Sequence, residues 1–311
     1  MSCPLPKDII KKELNTSILF IDEICGGISK QVYKITTKND KFILYIWLRP
    51  YEGKMTENQT KGMEYLFPDG YKYFIHNIKL LNDIKVRVPY IVSAGHYDEG
   101  GFDYAIVECF KGHSLDEYIK NGGDVRSIAD KIAEATNKMA AKKRDFYGSP
   151  VESEPNNISA AQLVFNFYTE ELNIASKIDN KVAALQFKLI HLMRQKMSEI
   201  YEKQTQKFSL VHGELTPPHV FILNNGDIGF IDIEGIKYFD IEYDWAVINN
   251  IYGNKIILPA NVDFKKLEFY KICLKIGYVS GTTDYLVHID SNNEMLKNIR
   301  ENNLRDLEAM L

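Results

Sequence analysis

Three side chains within one short segment have the types and spacing for metal-assisted chemistry. Glu214 follows the apolar run Phe208-Ser209-Leu210-Val211 through His212 and Gly213. His219 stands five positions after it. Asp232 ends a second apolar run, Gly229-Phe230-Ile231, and is followed by Glu234 and Gly235. Phosphoryl transfer needs such a set: a carboxylate near the attacking hydroxyl, and metal-binding side chains that neutralise phosphate charge. Glu214 as a base carries its carboxylate one methylene further out than an aspartate would. His219 has two readings, because magnesium prefers oxygen ligands and imidazole suits softer metals. It is either a metal ligand or a hydrogen-bonding histidine of the interior. Glu234 is either near the metal or a charge on the cleft wall.

The flanking elements must bring these groups together. Residues 6–15 have helical spacing, and residues 18–49 alternate as strand, glycine turn, strand, turn, strand. Residues 50–70 read as polar and irregular. A helix is expected over 71–83, then strands over 88–92 and 104–107. Ser114 with Glu117 is a helix-start signature. Long helical stretches are expected over 125–145 and 159–204, a hairpin over 219–232 turning at Asn224-Asn225-Gly226-Asp227, and helices over 263–277 and 292–310. A small β-rich half therefore precedes a larger helical half.

Bulk properties exclude some partners. The chain has 311 residues, room for two domains and a sizeable core. Its net charge of −4 argues against nucleic acid, whose phosphates demand a basic surface. Cys3, Cys25, Cys109 and Cys273 form no CxxC pair, so a reducing compartment is expected. The start is too polar for a signal peptide, and no apolar run approaches the roughly 20 residues of a membrane helix. A cytoplasmic protein without membrane partners is the expectation, with oligomeric state left open.

The order of elements, with His212-Gly213-Glu214, Ile231-Asp232-Ile233-Glu234 and Tyr243-Asp244-Trp245-Ala246, resembles the aminoglycoside phosphotransferase and choline kinase group of small-molecule kinases. It is a variant with HGE in place of HGD. The resemblance implies an α+β, bilobal protein-kinase-like fold, with an antiparallel five-stranded N-lobe (1–110) and a mainly helical C-lobe (111–311). It implies ATP or GTP as co-substrate, Mg2+ or Mn2+, and a small-molecule hydroxyl as acceptor, of an aminoglycoside-like antibiotic or a metabolite. Glu214 takes the place of the catalytic carboxylate, Asp232 of the main metal ligand and His219 of the second. Gly26, Gly27, Ser29 and Lys30 fall in the phosphate-covering loop that begins at Cys25. Glu108 and Phe110 flank Cys109 at the hinge that meets the nucleotide base. Asp244 is expected to hold the catalytic loop, with His212 as a partner.

Two residues depart from the group. Tyr45 stands where a phosphate-binding lysine is expected, and Phe74 or His76 where its glutamate partner should be. Arg49, Lys30 or Lys34 are the candidate replacements. The departures motivate an alternative, a pseudokinase-like nucleotide-binding or regulatory module; transfer of AMP is a third reading. Phe165, Phe167 and Tyr168 read as core before pocket. Glu152, Glu154, Asp240 and Glu242 read equally as a site for a cationic substrate and as a solvated face.

Overall fold

The computed structural model describes residues 3–24, 30–47, 57–151, 155, 157–200, 207–253 and 262–311. Cys25, Gly26, Gly27, Ser29, Arg49, Glu152 and Glu154 lie outside them. Helix α1 (Lys7–Leu14) leads into strands β1 (Ile18–Ile24), β2 (Gln31–Thr37) and β3 (Lys41–Trp47). Helices α2 (Glu57–Leu66) and α3 (Tyr71–Asp83) follow, then β4 (Ile91–Tyr97) and β5 (Phe102–Glu108). The five strands form one antiparallel sheet in the order β1-β2-β3-β5-β4.

That sheet is covered on both faces, which explains the unbroken apolar run of β3. Leu44 and Ile46 join Tyr33, Ile35, Tyr104 and Ile106 in a small core closed by Leu5 and Ile10. The alternate residues Tyr45 and Trp47 enter a larger core that continues into the helical half. The fold is thus α+β, a five-stranded antiparallel N-lobe sheet joined to a mainly helical remainder, as expected.

Beyond the sheet come β6 (Gly112–Ser114), α4 (Leu115–Lys120), α5 (Ala129–Ala140) and β7 (Lys143–Arg144). The expected capping box is formed, with Ser114 accepting from the Glu117 N–H and Glu117 from the Ser114 N–H. Helices α6 (Ala160–Ala175) and α7 (Asn180–Ser198) precede β8 (Phe208–Val211), β9 (Val220–Leu223), β10 (Ile228–Phe230) and β11 (Lys237–Phe239). Helices α8 (Ile241–Tyr252), α9 (Phe264–His288) and α10 (Glu294–Glu308) complete the chain. Phe165, Phe167 and Tyr168 are core residues.

Three expectations need correction. The stretch read as irregular contains α2, whose Gly62 lies so close to Phe167 of α6 that an added Cβ would sit 1.9 Å from the ring. Tertiary packing, not local propensity, makes that helix. The strand expected at 88–92 begins instead at Ile91. Pro89 has no N–H to give a sheet, and the Arg87 carbonyl is taken by the Phe230 N–H at 2.9 Å. The long stretch 159–204 breaks because the Asp179 carboxylate accepts from the Lys181 and Val182 N–H groups and starts a new helix.

Strand β6 pairs with β9, the strand that leaves His219. The close approach requires glycine at 112: a Cβ there would stand 2.1 Å from the Ile222 carbonyl oxygen and 2.8 Å from the Leu223 Cα. Backbone cannot step aside as a side chain would. Gly112→Ala is expected to destabilise the protein by about 1–3 kcal/mol, read as a lower denaturant midpoint at unchanged slope. An unshifted midpoint would show that β6 and β9 separate freely.

Candidate active site

Strand β8 delivers the segment that carries Glu214, and α8 holds it. The N–H groups of His212 and Gly213 both donate to the buried Asp244 carboxylate, each at 2.7 Å. Burial raises the Asp244 pKa, and the two donated bonds partly offset that. Asp244 therefore fixes the loop as expected, but its His212 contact is through backbone, not the imidazole. Gly213 has φ +85°, and a Cβ there would meet the Lys237 Nζ at 2.3 Å. The His212 ring lies fully buried beneath the loop. Burial pushes its pKa down to about 3, so it is neutral. Its Nε2–H donates to the Ile231 carbonyl at 3.1 Å, and its Nδ1 accepts from the Glu214 N–H at 3.4 Å. One ring thus ties Glu214 to the residue before Asp232.

Ligand atoms of Glu214, His219 and Asp232 all lie within 4.8 Å of one another. The His219 Nδ1–H donates to the Glu214 carbonyl oxygen at 2.9 Å, which leaves Nε2 facing Asp232 Oδ2 at 3.5 Å. With Nδ1 held in this way, Nε2 is the ring atom directed at the carboxylate cluster. Asp232 has φ +58°, a left-handed conformation that aspartate tolerates better than most residues. Burial pushes its pKa up, but Lys30 and His219 more than offset this, and the carboxyl is held below its ordinary value. Glu214 is open to the cleft, yet the protein around its carboxyl strips enough water to raise its pKa despite His219. Two carboxylates and an imidazole fit a divalent cation such as Mg2+ or Mn2+.

Lys30 is the basic residue that reaches this cluster. Its Nζ donates to Asp232 Oδ1 at 2.6 Å and to Glu234 Oε1 at 2.5 Å, and lies 4.9 Å from the Tyr45 ring centre. Burial pushes Lys30 down, but Glu234 and Asp232 more than compensate, so its pKa rises. The Trp47 indole N–H donates to the same Glu234 oxygen at 3.3 Å. Tyr45 and Phe74 meet edge to face at 5.4 Å, so the positions expected for lysine and glutamate hold an aromatic pair. Helix α3 instead reaches the site through Asn77, whose amide donates to the Ile233 and Glu234 carbonyls at 2.8 and 3.1 Å.

Two pockets meet at Asp232. One, of about 300 Å³, runs from Val32, Ile43 and Tyr45 to Phe221 and Ile231, with Lys30 and His219 at its inner end. Glu108 and Phe110 are among its lining residues. The Glu108 carboxylate is engaged by Arg87 at 2.5 and 2.7 Å, and the Phe110 ring packs tilted against Phe221. The other pocket, of about 220 Å³, is lined by Met63, Leu66, Phe67, Glu214, Glu234 and Lys237 among others. Asp240 and Glu242 line neither. Asp240 is paired with Lys266 and Tyr270, and Glu242 accepts from the Asp263 N–H, so their role is structural.

The residues match the model of the phosphotransferase enzyme family over 21–259. The chain belongs to that family. It is a small-molecule kinase by that membership. No curated protein sequence matches it. The apo structure of a thermostable mutant of aminoglycoside phosphotransferase APH(4)-Ia is similar at TM-score 0.65 and 12% identity, over 97% of this chain and 99% of that one. Choline kinase LicA from Streptococcus pneumoniae gives TM-score 0.61 at 15% identity, over 97% and 99%. The GDP complex of aminoglycoside 2'-phosphotransferase-IIIa gives 0.62 at 16%, over 97% and 96%. At such identities the likeness is one of fold.

Sequence reasoning missed Lys237 altogether. It is fully buried, and its ammonium donates to the Leu66 carbonyl at 2.7 Å, capping the end of α2. The only hint was a lone lysine between apolar Ile236 and Tyr238-Phe239. Burial pushes its pKa down to about 8, against the pull of Asp244 and Glu214. Between that value and its ordinary pKa the unfolded chain binds a proton that the folded one does not. Stability from this group therefore rises with pH across the window. Lys237→Met is expected to remove that rise from pH 8 to 10, seen as a wild-type-minus-variant stability difference that grows with pH. A difference constant with pH would mean that Lys237 titrates normally.

Proposed function

We propose that this protein transfers the γ-phosphoryl group of ATP or GTP to a hydroxyl of a small molecule. The observation that supports this best is the convergence of Glu214, His219 and Asp232 within 4.8 Å where two pockets meet. The nucleotide occupies the larger cleft, its base between Val32 and Phe221 beside Glu108 and Phe110. The acceptor enters from the side of Met63 and Phe67. Asp232 and His219 would hold Mg2+ or Mn2+, which when bound neutralises phosphate charge. Glu214 orients the acceptor hydroxyl and takes its proton. Gly26, Gly27 and Ser29 belong to the loop assigned to cover the phosphates. The regulatory alternative rested on the missing lysine and glutamate, and Lys30 beside Asp232 weakens that ground.

Glu214→Gln keeps the size of the side chain and loses its charge. Transfer is expected to fall about 100- to 10,000-fold while calorimetric nucleotide affinity stays nearly unchanged. Full transfer by a folded Glu214→Gln protein would eliminate this mechanism.

His219 also makes a claim about the metal. Manganese should support transfer at least as well as magnesium, because imidazole suits it better. His219→Asn, which supplies an oxygen ligand, should lower the manganese-to-magnesium activity ratio. An identical ratio in the variant would remove His219 from the metal's ligands.

A further inference from the structure

The aromatic pair at Tyr45 and Phe74 leaves a question of electrostatics. Nucleotide phosphates need a fixed positive charge at the inner end of the cleft, and neither residue supplies one. Among the described residues that line the cleft, Lys30 is the only lysine or arginine. It precedes β2, and β2 pairs with β3 so that Val32 lies opposite Tyr45. Lys30 and Val32 are two apart and so share the cleft face of the strand. The ammonium is thereby laid over the Tyr45 ring, 4.9 Å from its centre. A charge from the neighbouring strand thus arrives beside the position where a β3 lysine would have carried it.

Glu234 is what holds that charge. Its side chain is almost wholly buried, and Oε1 accepts from both Lys30 and Trp47. Asn77 fixes the backbone on which Glu234 sits. Glu234 stands outside the group formed by Glu214, His219 and Asp232. It lines the second pocket and not the nucleotide cleft, whereas Lys30 lines the cleft and Asp232 lines both.

We propose that Lys30 and Glu234 replace the expected lysine–glutamate pair of the N-lobe, Lys30 as the phosphate-binding cation and Glu234 as the residue that positions it. The inference rests on the nucleotide reading above and assigns Glu234 away from the metal. It also accounts for the two aromatic substitutions together. Once the cation comes from β2, the old lysine site must be filled by an uncharged group. The old glutamate site must then lose its charge too, since an unpaired buried carboxylate is costly.

The test is nucleotide affinity measured without divalent metal, by calorimetry with ATP in chelator, alongside circular dichroism of every variant. Lys30→Met should weaken binding by roughly tenfold or more, the range of a charge-assisted hydrogen bond, and Lys30→Arg should recover part of it. Glu234→Gln should weaken metal-free binding in the wild-type background and add less than about twofold in the Lys30→Met background. If Glu234 were a metal ligand, its substitution would instead shift the metal midpoint and leave metal-free affinity alone. That result would overturn the proposal. Should Glu234→Gln not fold, the wild type itself decides through an ATP acyl-phosphate probe. A lysine at the phosphates attacks the acyl carbon, forms an amide and releases ATP. Labelling at Lys30, prevented by excess ATP, is expected by mass spectrometry; labelling at Lys34 or Lys237 instead refutes it. A wild type that binds ATP while Lys30→Met binds equally well overturns only this inference. A wild type that neither binds nor is labelled overturns the nucleotide reading as well.

Discussion

One buried ammonium holds the two halves of the site in register. Lys30 comes from the sheet, Asp232 and Glu234 from the segment after β10, and the three meet within 2.6 Å contacts. Taking Lys30 and Glu234 out of water is expensive, and their mutual contact offsets that cost in part, Glu234 Oε2 having no hydrogen-bond partner among the described residues. Losing one partner of a buried pair typically costs about 3–5 kcal/mol. The arrangement therefore specifies how the sheet sits over the segment that carries Asp232 and Glu234. Trp47 adds a donor to Glu234, and Tyr45 offers its ring face to the ammonium.

Around that contact the backbone is fixed by side chains that take no part in chemistry. Asp244 gathers two N–H groups of the loop that carries Glu214. His212 links that loop to Ile231, and Asn77 links α3 to Ile233 and Glu234. Each of these bonds joins a buried side chain to backbone, with Asp244 accepting and Asn77 donating, so each constrains the position of the segment it touches. The left-handed backbone of Asp232 is the strained point that this scaffold maintains.

Lys237 extends the same logic to the second pocket. Its ammonium caps α2, whose Gly62 side lies against Phe167 of α6. Helix α2 is thereby held from below by the helical half, although in sequence it belongs between β3 and α3. One wall of the second pocket, Met63, Leu66 and Phe67, comes from this helix and the turn after it.

The sequence by itself determined the elements whose apolar spacing is regular and whose signals are local. The alternation of β2, the apolar run of β3, the Ser114–Glu117 cap and the turn at 224–227 are such signals, and so is the pattern placing Glu214, His219 and Asp232 near one another. Helix α2 was not legible, because its stability comes from packing on α6 and not from its own residues. The start of β4 was displaced by a bond that Arg87 makes to a strand far along the chain. Lys30 was one of three candidate cations, and nothing local marked it; the pairing of β2 with β3 brings it over the Tyr45 ring. The partners of Glu234 and Lys237 were likewise decided by tertiary structure alone. A buried charge takes its meaning from what surrounds it in space, and those neighbours lie as far as 204 and 171 positions away along the chain.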